Sequence, residues 1–175
     1  TGKSMALLNS RADMVDYLAS VPEGTGLYLI EYVDCKGQRP YYRKARCFFI
    51  DGQFYPVALL SHQNWQIHSG DRYEVMQNDP ATQEEEQSYL ENPEAFLGSR
   101  AFDALKAIAG ESGLDFFGID FIPSDDEGVF VFEANAAMRH NYDHATAFPY
   151  TRPHLDRVST AMQKMLQTRL AAGFG

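Results

Sequence analysis

GLDFFGIDFIPSDDEGVFVFEANAAMRHN, residues 113–141, decides how this chain is read. Two apolar runs flank an acidic, glycine-closed turn, which is the pattern of a β-hairpin. Asp120 nevertheless interrupts the first run, and Glu133 and Asn135 close the second. Side chains on a strand alternate faces, so Phe117, Ile119 and Phe121 point one way and Gly118 and Asp120 the other. On the second run Phe130, Phe132 and Ala134 share a face, and Val131, Glu133 and Asn135 share the opposite one. A loop of even length puts Asp120 on the side of Glu133 and Asn135, and a loop of odd length separates them. The residues Ser124-Asp125-Asp126-Glu127-Gly128 supply turn chemistry for either arrangement.

Working outward, residues 114–122 and 129–135 are expected strands. Before them, SRAFDALKAIAGESG places Phe102, Leu105, Ile108 and Ala109 on one helical face, with Gly110 or Gly113 as its stop. QEEEQSYLENPEAFLG has helical composition broken at Asn92-Pro93, and its acidic run Glu84–Glu86 reads as a solvated face. Residues 62–80 are irregular. YYRKARCFFI, 41–50, and 54–61 form a hairpin across Asp51-Gly52, and GLYLIEYVD, 26–34, reads as a mostly buried strand. A helix over Ser10–Ser20 has Ser10 as its cap, and a final helix over 153–171 begins near Pro153. The order implies one α+β domain over residues 1–175, a mainly antiparallel sheet with helices packed on one side.

The 175 residues carry a formal charge of −9, which disfavours a nucleic-acid or membrane-surface partner, since both require a basic face. No stretch approaches the roughly 18 apolar residues of a membrane span. The two cysteines, Cys35 and Cys47, have no metal or disulfide spacing and fit a reducing cytoplasm. The chain opens on TGKSMALL without an initiator methionine and reads as a piece of something longer. Its Thr1-Gly2-Lys3-Ser4 is similar to the end of a phosphate-binding loop but lacks the preceding strand that such a loop needs.

Two carboxylates and an amide oxygen on one sheet face form a hard-oxygen set of the kind magnesium takes when it shares itself with phosphates. The competing reading is a pair of exposed strand carboxylates, each matched by a Lys or Arg. Lys44 and Arg46, two apart, share a face with Tyr42 and can address one anion. Arg139 is a candidate for holding a carboxylate. His140, Asp143 and His144 are too few for zinc by spacing, and His62, Trp65 and His68 are candidates for lining a cleft or for plugging the core.

GIDF followed by a hairpin and FEANAAM resembles the metal-binding end of the ATP-grasp superfamily, as in glutathione synthetase-like ATP-binding domains. The separation, Asp120, twelve residues, then Glu133-x-Asn135, matches that pattern. The resemblance implies that Asp120, Glu133 and Asn135 hold Mg²⁺ and that Lys44 and Arg46 neutralise ATP phosphates. LYLIEYVD resembles the family's hinge strand, which implies adenosine contacts from Glu31, Tyr32, Val33 and Asp34. It also implies catalytic roles for Arg46 and for Arg139 on the acceptor side. By this resemblance the chain is the C-terminal lobe of an ATP-dependent carboxylate–amine or carboxylate–thiol ligase, whose substrate is a carboxylate-bearing small molecule or peptide. The remainder of the parent chain would supply the missing lobe, and the piece alone would be inactive. The alternative is a non-catalytic ATP-grasp-like nucleotide-binding or scaffold module. Gly118 departs from the family, some of whose members carry a basic residue two positions before the metal-binding aspartate.

Overall fold

The sheet begins with a hairpin turned at Asp51-Gly52. In the computed structural model, which describes residues 5–124 and 128–173, β1 spans Tyr42–Ile50 and β2 Gln53–His62. The turn between them uses Asp51 and Gly52, with φ of 48° and 72°, as a tight primed turn requires. Two short 3₁₀ turns, Ser69–Tyr73 and Met76–Asn78, follow. Then come α2 over Pro80–Glu91, α3 over Pro93–Leu97 and α4 over Ser99–Ser112. Strands β3, Phe116–Ser124, and β4, Gly128–Asn135, precede α5 over Arg152–Ala172. Asp79 and Asn92, each before a proline, cap α2 and α3 through their side chains, which is why the helical stretch breaks at Asn92-Pro93.

The four strands pair antiparallel in the order β2-β1-β3-β4, so β1 and β3 are central. Their registers put Ala45, Cys47, Phe49, Phe117, Ile119 and Phe121 on one face, where they bury against Tyr89 and Leu90 of α2 and Leu105 of α4. Helices do not stay on that side, contrary to expectation. Phe48 and Ile50 face the other way and bury with Leu155, Val158 and Met165 of α5 and with Met138. The reason is in the central strands, where Phe48-Phe49-Ile50 and Phe116-Phe117 are apolar at consecutive positions and so demand cover on both faces. α5 covers only the end of that second face with Phe48, Ile50 and Phe116. At its other end stand Lys44, Arg46 and Asp120.

β2 is an edge strand, and its Leu59 amide is satisfied by a side chain rather than by another strand. Glu86 Oε1 accepts that N–H at 3.0 Å, while its Oε2 accepts from the Tyr150 hydroxyl at 2.7 Å and from Arg72 Nη2. Glu86 is fully buried and Arg72 nearly so, its guanidinium lying 4.3 Å from the Phe148 ring centre. The solvated acidic face is therefore corrected: Glu84 is exposed, Glu85 pairs with Arg43 at 2.8 Å, and Glu86 is core. Tyr150→Phe removes one bond to a buried carboxylate and should cost about 1.5–3 kcal/mol in urea unfolding. A loss below about 0.5 kcal/mol would mean that Arg72 and Leu59 alone satisfy Glu86.

The chain divides into two compact units, residues 1–34 and 35–175. In the first, α1 spans Arg11–Ser20, capped by Ser10, whose hydroxyl accepts the Asp13 N–H at 3.1 Å. The expected strand over 26–34 is not formed. Those residues carry no regular structure, and Tyr28 is 96% exposed where burial was expected. Apolar composition makes a strand possible, but only pairing with another strand makes one, and the four-stranded sheet does not include these residues. No helix among the described residues is long and apolar enough to cross a membrane. Thr1–Ser4 lies outside the described residues.

Candidate functional site

The position of Glu133 depends on a one-residue irregularity. Ser124 pairs with Gly128, Ile122 with Phe130 and Phe121 with Val131, but Asp120 pairs with Glu133. Three residues, 125–127, separate Ser124 from Gly128, an odd number that on strand parity alone would set Asp120 opposite Phe132. A β-bulge at Phe132 adds one residue to β4 and resets the register. Glu133 thereby moves to the face of Asp120. The expected grouping of Val131 with Glu133 and Asn135 is corrected, since Val131 packs with the α2/α4-side core while the other two turn away. Phe130, opposite Ile122, likewise parts from Ala134, which lies opposite Ile119.

On its other side Asp120 pairs in register with Arg46 of β1. The Arg46 guanidinium binds both carboxylate oxygens, Nε to Oδ1 at 2.6 Å and Nη2 to Oδ2 at 2.8 Å. Lys44 Nζ stands 3.7 Å from Oδ2. Asp120 is only 5% exposed, so this fork is its main compensation for lost water. The bond to Asp120 holds the Arg46 guanidinium above its ordinary pKa, with burial opposing and Glu133 assisting. Burial pulls the Lys44 ammonium below its usual value, Asp120 opposes this and Arg46 adds to it. Lys44 and Arg46 thus share a face, as expected, and both address Asp120.

Glu133 is exposed, and its Oε1 accepts from Asn135 Nδ2 at 2.8 Å. Asn135 also shapes the backbone beyond β4. Its Oδ1 accepts the Ala137 N–H at 2.7 Å and its carbonyl the Met138 N–H at 3.3 Å, and this turn brings Met138 over Gly118. The donor chemistry fits magnesium: two carboxylates on directly opposed strand positions, about 5 Å apart at their Cβ atoms by sheet geometry, with an amide beside them. Waters and phosphate oxygens would complete an octahedron. Among the described residues no three His, Cys, Asp or Glu side chains gather into a metal-binding group, so the third protein oxygen would have to be the amide. The competing reading holds in part: Glu133 is exposed, but Asp120 is buried and its Arg partner covers both oxygens.

The remaining candidates lie elsewhere. Arg139 is exposed and pairs with Asp143 at 3.1 Å. His140 turns to Ser159 and His144 to the Tyr73 hydroxyl, so the two do not converge. Burial lowers the pKa of both imidazoles. His62 is buried and bonds to Glu74 at 3.3 Å, Trp65 is half-buried, and His68 is exposed. Glu31, Tyr32, Val33 and Asp34 lie in the first unit without regular structure. Sequence reasoning missed the Arg72–Glu86–Tyr150 network. Its signal was present, since Thr82, Glu86, Tyr89 and Leu90 form the buried stripe of α2 at spacings of four, three and one. Comparison with family models, curated proteins and solved structures finds no match to this chain.

Proposed function

We propose that this chain is the Mg-ATP-binding lobe of an ATP-dependent carboxylate–amine or carboxylate–thiol ligase of the ATP-grasp kind. What carries the reading is the direct opposition of Asp120 and Glu133, beside Lys44 and Arg46, on a sheet face that α5 covers only at its far end. In this proposal Asp120, Glu133 and Asn135 ligate Mg²⁺, and Lys44 and Arg46 neutralise the ATP phosphates. The substrate's carboxylate oxygen bonds to the γ-phosphorus as ADP leaves, and an amine or thiol then displaces phosphate from the acyl phosphate. Arg139 serves the acceptor side. The protein contributes position and charge rather than a nucleophile. The setting is cytoplasmic, and the rest of the parent chain closes the cleft, so this chain alone binds ATP weakly and turns nothing over.

A second reading, a nucleotide-binding or scaffold module without turnover, is favoured by Gly118. Met138 occupies the space where some family members carry a basic side chain. Both readings require the metal site. Asp120→Asn and Glu133→Gln should each weaken Mg-ATP binding, measured by calorimetry, by about tenfold or more. Unchanged affinity in both variants, with folding verified by circular dichroism, removes the site.

A further inference from the structure

Asp120 is already paired on this face: Arg46 forks both of its oxygens and Lys44 stands 3.7 Å from Oδ2. A guanidinium fork and a divalent ion compete for the same two Asp120 oxygens, because the ion binds at about 2.0–2.1 Å and would repel the guanidinium beside it. The two partners of this pair differ in freedom. The Asp120 side chain is 7% exposed and fixed in a central strand, whereas that of Arg46 is 32% exposed and long enough to swing. Arg46 is therefore the member that can move. With a bare cation the displaced guanidinium trades a buried fork for solvent, whereas a polyphosphate gives it a multiply charged anion that takes the same fork geometry.

We propose that Arg46 is a displaceable internal counter-ion of Asp120, so that divalent metal and polyphosphate enter this site together and neither binds it strongly alone. The inference rests on the metal-site reading above and adds its order of assembly. Arg46 keeps the buried carboxylate compensated in the empty protein, then trades it for phosphate as the metal takes over. Lys44, 3.7 Å from Oδ2, remains near both anions throughout. Affinity for the metal alone is lowered by the work of evicting Arg46, and that work is returned when phosphate is present.

The test titrates the whole chain with Mn²⁺ alone and with preformed Mn²⁺–ATP, following free Mn²⁺ by electron paramagnetic resonance. Arg46→Gln should bind Mn²⁺ alone about fivefold or more tighter than the unsubstituted chain, and Mn²⁺–ATP more weakly. The double variant Arg46→Gln/Asp120→Asn should lose the gain, which separates this site from adventitious surface binding on a chain of charge −9. Arg46→Lys keeps the charge without the fork and should show a smaller gain, so the test survives if Arg46→Gln fails to fold. Unchanged or weaker Mn²⁺ binding in both Arg46 variants, while the unsubstituted chain binds Mn²⁺–ATP, overturns the counter-ion role and leaves the metal site standing. Absence of Mn²⁺–ATP binding in the unsubstituted chain removes the proposed function and this inference with it.

Discussion

Arg72→Met should destabilise the fold by about 3–5 kcal/mol, the cost of leaving a buried carboxylate without its cation. Glu86 is fully buried, and of the groups that bind it, Arg72 alone carries a positive charge. Methionine fills much of the same volume, so the loss reports charge rather than a cavity. Arg72 also lies over the Phe148 ring, and its removal loosens the 3₁₀ turn at Ser69–Tyr73 from the 3₁₀ turn Pro149–Thr151 that carries Tyr150.

The loss should grow with pH. Burial, the largest influence, raises the Glu86 pKa above its ordinary value, against the lowering effects of Arg72, Tyr150 and the Leu59 N–H. A carboxyl whose folded value is raised binds its proton more readily when folded. Its contribution is therefore complete below the unfolded value of about 4.3 and is lost as pH rises through the folded value. Removing Arg72 raises the folded value further and extends that window upward. At low pH the variant can protonate Glu86 and escape most of the penalty, and this escape closes as pH rises through the folded value. Urea midpoints of both proteins at about pH 4.5, 6 and 8 measure the difference. A difference that is flat with pH, or under about 1 kcal/mol at pH 8, would show that water reaches Glu86.

The same residue shows how far the sequence could be read. Glu86 sits in an acidic run whose composition says surface, while its spacing from Thr82, Tyr89 and Leu90 says core, and spacing wins because helix faces are set by period. The β1–β2 hairpin was legible because Asp51-Gly52 fixes its turn locally. Two-sided cover was missed, although the consecutive aromatics of β1 and β3 carried its signal. Residues 26–34 were misread, because strand propensity says nothing about whether a partner edge is offered. The bulge at Phe132 was not legible at all. No glycine marks it, and loop parity without it puts Glu133 on the wrong face. The site was thus visible as residue types, but its convergence depends on a register that only tertiary pairing decides.

Gly118→Arg should dismantle the turn beside it, at a cost of about 3 kcal/mol or more. Gly118 has an ordinary strand conformation, so the obstacle is space, not backbone. A Cβ at 118 would stand 2.9 Å from Met138 Cβ and 3.0 Å from Cγ, and closer still to the sulfur. Rotation about χ1 moves the sulfur and Cγ away but leaves Cβ, which the backbone holds through the Asn135 turn. Even Gly118→Ala should therefore cost about 1–3 kcal/mol, and Met138→Ala added to it should recover only part of that loss. Expelling Met138 also opens the cluster it shares with Phe48 and Leu155, which is why arginine costs more than alanine. Urea unfolding of the three variants measures the ranking. A neutral Gly118→Ala, or full recovery in the double variant, would mean that the 136–138 backbone yields.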